Sequence, residues 1–116
     1  MGVQEWSDKI TVVELGDDPQ FSDEIGGLTE SIEQQPRDVV LNFAGVGFVN
    51  SSNIASLLRL RKLMMMKERR LVLCDVNTQV WGVFLVTGLD KIFECTKDIS
   101  TALATVQLSN GAAEAD

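Results

Sequence analysis

The chain contains no histidine and no tyrosine, and only two cysteines and two prolines. The missing histidine removes the commonest general base and the commonest metal ligand. A serine hydrolase needs a base beside its nucleophile, and only carboxylates and lysines remain for that role. Cys74 and Cys95 form no CxxC pair, so there is neither a disulfide framework nor a zinc or redox motif. A reducing cytoplasm suits such a chain. No apolar run approaches the length of a membrane span, and Met1–Glu5 lacks the basic and apolar regions of a signal peptide. A glycine-rich phosphate loop ending in Lys is also absent; Gly45 and Gly47 are too few. Scattered acids such as Asp17 and Asp18 lack metal-ligand spacing. Hence no catalytic residue, metal site or cofactor is assigned.

What is present is a chain of 116 residues, 45% hydrophobic. That is one domain by size, large enough to bury a core. The net charge of −7 argues against nucleic acid and anionic membranes. The charge is uneven. Residues 1–38 carry ten acids and two bases, whereas residues 59–70 carry six bases and one acid, Glu68. A solvated helix face whose bases complement the helix dipole explains the basic cluster. A docking patch for an acidic partner is the sharper, less favoured reading.

Taken in order, Val3–Trp6 and Ile10–Leu15 read as a hairpin turning at Ser7–Lys9. Phe21, Ile25, Leu28 and Ile32 set a helix to Gln34, weakened by Gly26 and Gly27 and stopped by Pro36. Asp38–Phe43 is too uniformly apolar for an exposed strand and reads as a central one. A helix follows to about Lys67, its inner stripe read as Ile54, Leu57, Leu58, Met64 and Met65. Met64–Met66 read as core filler, and Arg61 as an aliphatic stem lying on the core. Leu71–Val76 is a buried strand. Asn77 caps a helix through about Val86, with Val80, Val83, Phe84 and Thr87 inward and Gly88 after its end. Lys91–Cys95 is a short strand, and Asp98 caps a last helix carrying Ile99, Ala102, Leu103 and Val106. Residues 109–116 read as a disordered tail. Both cysteines read as packing residues. The alternation predicts a single α/β domain over residues 1–116. Its mixed sheet has four to five strands, with about four helices packed on it.

The pivotal stretch is Asn50-Ser51-Ser52-Asn53, four short polar residues between a β-rich block and a helical one. Ser and Asn are preferred helix N-caps. The positive end of the helix dipole, with its free N–H groups, suits an added anion such as phosphate. It would lie at the C-terminal end of a central strand, where open α/β sheets place ligands.

Three blocks resemble a known family in order and spacing. They are Asp38–Phe43 running through Val46-Gly47-Phe48-Val49 to Ser51-Ser52, then Arg70–Val76, and then Val86-Thr87-Gly88-Leu89-Asp90-Lys91-Ile92-Phe93. Together they resemble STAS domains, the fold of anti-sigma-factor antagonists, over about residues 3–108. The resemblance implies phosphorylation of Ser51, ahead of Ser52, by a serine-kinase anti-sigma factor, and resetting by a PP2C-type phosphatase. It also implies a partner-binding surface of Asn50, Ser51, Ser52, Asn53 and Ile54. Asn50 and Asn53 stand where the family has Asp and Gly. The expected function is therefore a non-enzymatic, cytoplasmic signalling module that regulates transcription by protein–protein interaction. The alternative is a constitutive STAS interaction or scaffold domain in a signalling or transport assembly, its phosphosite degenerate.

Overall fold

The central strand is the element on which both hydrophobic layers close. In the computed structural model, which describes residues 3–5 and 9–115, the strands are β1 (Val3–Glu5), β2 (Ile10–Gly16), β3 (Asp38–Gly45), β4 (Leu71–Cys74) and β5 (Glu94–Thr96). They lie side by side in chain order as one five-stranded sheet. β1 pairs antiparallel with β2, and β2 through β5 are all parallel. The expected hairpin is therefore present; Trp6, Ser7 and Asp8 lie outside the described residues.

Alternate side chains of a strand face opposite ways, and here both sides are apolar. Val39, Leu41 and Phe43 of β3, with Val13, Leu15 and Leu73 of its neighbours, join one core cluster. The helices α1 (Gln20–Gln34), α2 (Ser51–Met66) and α3 (Thr78–Thr87) cover that face. Val40, Val12, Val72 and Cys74 face the other way, against Ala102 and Val106 of α4 (Ile99–Ala115). The central-strand expectation for Asp38–Phe43 thus holds. Phe43 lies edge-on to both Phe21 and Phe84, tying α1 and α3 to the sheet (centroids 6.0 and 6.3 Å). Asp38, buried at the start of β3, pairs with Arg69 at 3.1 Å and accepts from the Arg70 N–H at 2.8 Å.

α1 buries the four residues expected, Phe21, Ile25, Leu28 and Ile32. Both of its glycines lie on the solvent side, so the weak propensity is overridden by packing. α2 requires a correction. Its inner face is Asn53, Leu57, Leu60 and Met64; Ile54 is half-buried, while Leu58 and Met65 are exposed. Positions 53, 57, 60 and 64 follow the helical period, but a polar residue begins the series and hid the phase. Of the three methionines only Met64 is core filler. Arg61 is half-buried, and its Nε donates to the Ile92 carbonyl at 3.0 Å.

α3 begins after Asn77, whose side chain accepts from the Val80 N–H, and ends at Gly88 in the left-handed region (φ 79°). Thr87, expected inward, is exposed at the end of α3, where its hydroxyl is satisfied locally by donating to the Val83 carbonyl at 2.7 Å. Leu89–Lys91 forms a 3-10 turn, and β5 starts only at Glu94. The strand expected over Lys91–Cys95 is displaced because Leu89 and Phe93 anchor the turn in the core. Asp98 caps α4 through the Thr101 N–H at 2.8 Å, and this bond holds its carboxyl below the usual range. The backbone of α4 continues helical past Ser109 to Ala115. Cys74 is buried and Cys95 half-buried.

Candidate functional site

The N-terminus of α2 lies beyond the C-terminal end of β3. Ser51 and Ser52 occupy its first two positions, and both are exposed. Neither hydroxyl has a hydrogen-bond partner among the described residues. Of the Ser and Asn residues offered as caps, Asn50 takes the role. Its side-chain oxygen accepts from the Asn53 N–H at 2.8 Å, and the Asn53 side chain accepts from the Asn50 N–H at 3.0 Å. This reciprocal capping box uses the asparagines and leaves the serine hydroxyls and their backbone N–H groups open.

Sequence reasoning missed the two acids that build the rest of the site. Asp18 Oδ2 accepts from Asn53 Nδ2 at 2.9 Å and from Asn50 Nδ2 at 3.4 Å. Its other oxygen accepts from the Ser22 N–H (2.9 Å) and hydroxyl (2.7 Å) in the first turn of α1. One carboxylate therefore joins the starts of two helices. The Ser22 hydroxyl, then Asn53, hold the Asp18 carboxyl below the ordinary carboxylate range. Asp17 accepts from the Gly47 and Phe48 N–H groups at 2.9 and 3.3 Å. Asn77 Nδ2 donates to the Val46 carbonyl at 2.9 Å. The loop into α2 is thus pinned from two sides, with Val46 and Val49 buried and Phe48 left 67% exposed. Loop acids without motif spacing gave no signal. An aromatic ring between two small or buried positions did, in retrospect, because it has nowhere inward to go.

Of the five residues expected to meet a partner, Ser51 and Ser52 are exposed and Asn50 and Ile54 half-buried. Asn53 is only 2% exposed, and its amide is committed to Asp18 and the cap. Its place is beneath the surface. A shallow pocket beside the loop is lined by Gly47, Phe48, Val49, Gln79, Val80 and Val83. No group of three or more His, Cys, Asp or Glu among the described residues could hold a metal ion. Burial pushes the Cys74 thiol up to about 12 and the Cys95 thiol up to about 11, which leaves neither a ready nucleophile.

The class of fold is a small α/β layer, parallel but for β1, with an exposed helix start beyond the C-terminal end of its central strand. The chain belongs to the STAS domain family, whose family model matches residues 18–102. Among solved structures it is similar to an anti-sigma-factor antagonist (STAS) domain protein from Planctomyces limnophilus. There the identity is 22% and the TM-score 0.77, covering 90% of this chain and 96% of that one. It is similar to the Bacillus cell fate determinant SpoIIAA in its phosphorylated form (18% identity, TM-score 0.71, covering 90% and 96%). A sulfate transporter family protein from Wolinella succinogenes is similar as well (18%, TM-score 0.71, covering 86% and 84%). These likenesses carry the fold. No curated protein matches the chain. STAS domains are in general interaction modules rather than enzymes, and no helix among the described residues is long and apolar enough to cross a membrane.

Proposed function

We propose that the chain is a non-enzymatic, cytoplasmic signalling module. In this reading it binds a serine-kinase anti-sigma factor through the α2 start and the Phe48 loop, and phosphorylation of Ser51 switches that binding. A PP2C-type phosphatase reverses the modification. The observation carrying this reading is the unengaged Ser51 hydroxyl on the first residue of α2, next to N–H groups that the Asn50–Asn53 cap leaves open. A phosphate there gains about 0.3–1 kcal/mol from the helix dipole, so modification leaves the fold intact. The partner surface bears the change, because a phosphoserine brings about −1.5 to −2 charges beside an already acidic Asp18.

The test is mass spectrometry of protein from its native cells, with binding and melting curves for Ser51→Asp. The expected outcome is a phosphopeptide at Ser51, and a Ser51→Asp variant that melts like wild type and binds the partner at least about tenfold more weakly. Absence of modification together with wild-type binding by Ser51→Asp overturns the switch. It leaves the second reading, a constitutive STAS scaffold. That reading is favoured by the likeness to the sulfate transporter family protein and by Asn53, which fills the site with a structural amide.

A further inference from the structure

Two neighbouring helices leave opposite charges facing solvent. The outer side of α1 carries Asp23, Glu30 and Glu33, all exposed, with Gly26 and Gly27 between them adding no bulk. The outer side of α2 carries Arg59 and Lys62 with Leu58 and Met65, 38% and 60% exposed; Met66 is more exposed still, and half-buried Lys67 ends the helix. Arg69 and Arg70 of the basic cluster are spent on Asp38 and Glu94, and Arg61 on the Ile92 carbonyl. No ion pair among the described residues holds Glu30, Glu33, Lys62 or Lys67. The solvated-face explanation covers the lysines but not the two methionines and the leucine beside them.

We propose that this face is a dimer interface whose occupant is a second copy of the chain. α1 and α2 lie side by side on one face of the sheet and run parallel to each other, since each returns from one parallel strand to the next. The acids at the C-terminal end of α1 are therefore level with the bases at the C-terminal end of α2. A two-fold axis lying along the two helices, above the groove between them, sets α1 of one copy on α2 of the other, twice. A uniformly basic face would repel itself across such an axis, whereas a face split into an acidic and a basic half is self-complementary. Leu58 then loses water against the low surface around Gly26 and Gly27, Met65 meets the last turn of α1 two helical turns further on, and the ion pairs fix register.

Sedimentation velocity reads the outcome. Wild type dimerises at low salt and weakens at about 0.5 M NaCl, where the screening length falls to a few ångströms. Glu30→Lys/Glu33→Lys and Lys62→Glu/Lys67→Glu are each monomeric alone, dimerising at least about tenfold more weakly than wild type. An equimolar mixture of the two restores a dimer, because both contacts are then between opposite charges; only folded chains can give that result. Met65→Ser weakens association, whereas Ser51→Asp leaves it unchanged. A wild type that stays monomeric at low salt overturns the proposal. So does a dimer indifferent to both charge variants, or a mixture that fails to associate.

Discussion

Asn50 is one amide with two duties: its oxygen caps α2 and its nitrogen faces Asp18. From sequence alone, a family-like Asp at this position is expected to sharpen discrimination between modified and unmodified Ser51. The structure changes that expectation, because Asp18 already stands against the position. Asn50→Asp keeps a capping oxygen but sets two carboxylates at hydrogen-bond distance without a donor between them. The sign of the pH effect follows from the wild-type arrangement. The Asp18 carboxyl is held below its ordinary value of 3.8. Its contribution is thus present above that value and is lost as pH falls through the depressed one. In Asn50→Asp the carboxylates disfavour each other's ionised forms. The variant melts below wild type at pH 7, and the gap closes as pH drops into the carboxylate range. Adding Asp18→Asn recovers part of the loss at pH 7, since the new amide donates to the new carboxylate. Thermal melts at several pH values check all three statements.

At the scale of elements, the strands and helices were legible because their apolar spacing is strong and their ends carry explicit signals. Phe21, Ile25, Leu28 and Ile32 announced α1, and Asn77, Gly88 and Asp98 marked three helix ends where the structure has them. A polar residue on an inner helix face was misread. Asn53 is the first inward residue of α2, so an apolar stripe drawn without it slid toward Leu58 and Met65. The site was legible as a place, the α2 start with its exposed serines. Its supports were not, since Asp17 and Asp18 act across 30 and 35 residues of chain, a distance no local pattern encodes. The same separation of packing from propensity makes a prediction about α1. A Cβ built on Gly26 or Gly27 meets nothing within 4 Å, and both positions are helical and exposed. Gly26→Ala removes backbone entropy from the unfolded chain and raises stability by about 0.5–1 kcal/mol. Urea titration reads this as a higher midpoint with unchanged slope. A lower midpoint would show that α1 needs the glycine in its folded form.

The whole molecule is asymmetric across its sheet. Among the described residues, three helices close one face, while α4 alone carries the helical cover of the other, over Val12, Val40, Val72 and Cys74. Segments with fewer buried contacts open at lower free energy than the global unfolding, and α4, which buries Ala102 and Val106 among its described side chains, is a candidate for such opening. Cys74 reports that event. It lies under α4 with no exposure, and burial pushes its thiol up to about 12, whereas half-buried Cys95 sits at about 11. At pH 8 the reactive thiolate of Cys74 forms only when α4 leaves and the thiol regains its ordinary acidity. Val106→Ala removes a fully buried side chain from α4 at a cost of about 2 kcal/mol. If α4 opens as a unit, that cost falls on the opening step and speeds alkylation of Cys74 by about thirtyfold. The matching α2 variant, Leu57→Ala, acts on the other face and leaves local opening of α4 unchanged. Iodoacetamide labelling followed by mass spectrometry separates the two cysteines. If both variants accelerate Cys74 and Cys95 equally, the sheet and its four helices open only together, and α4 is no weaker than the rest.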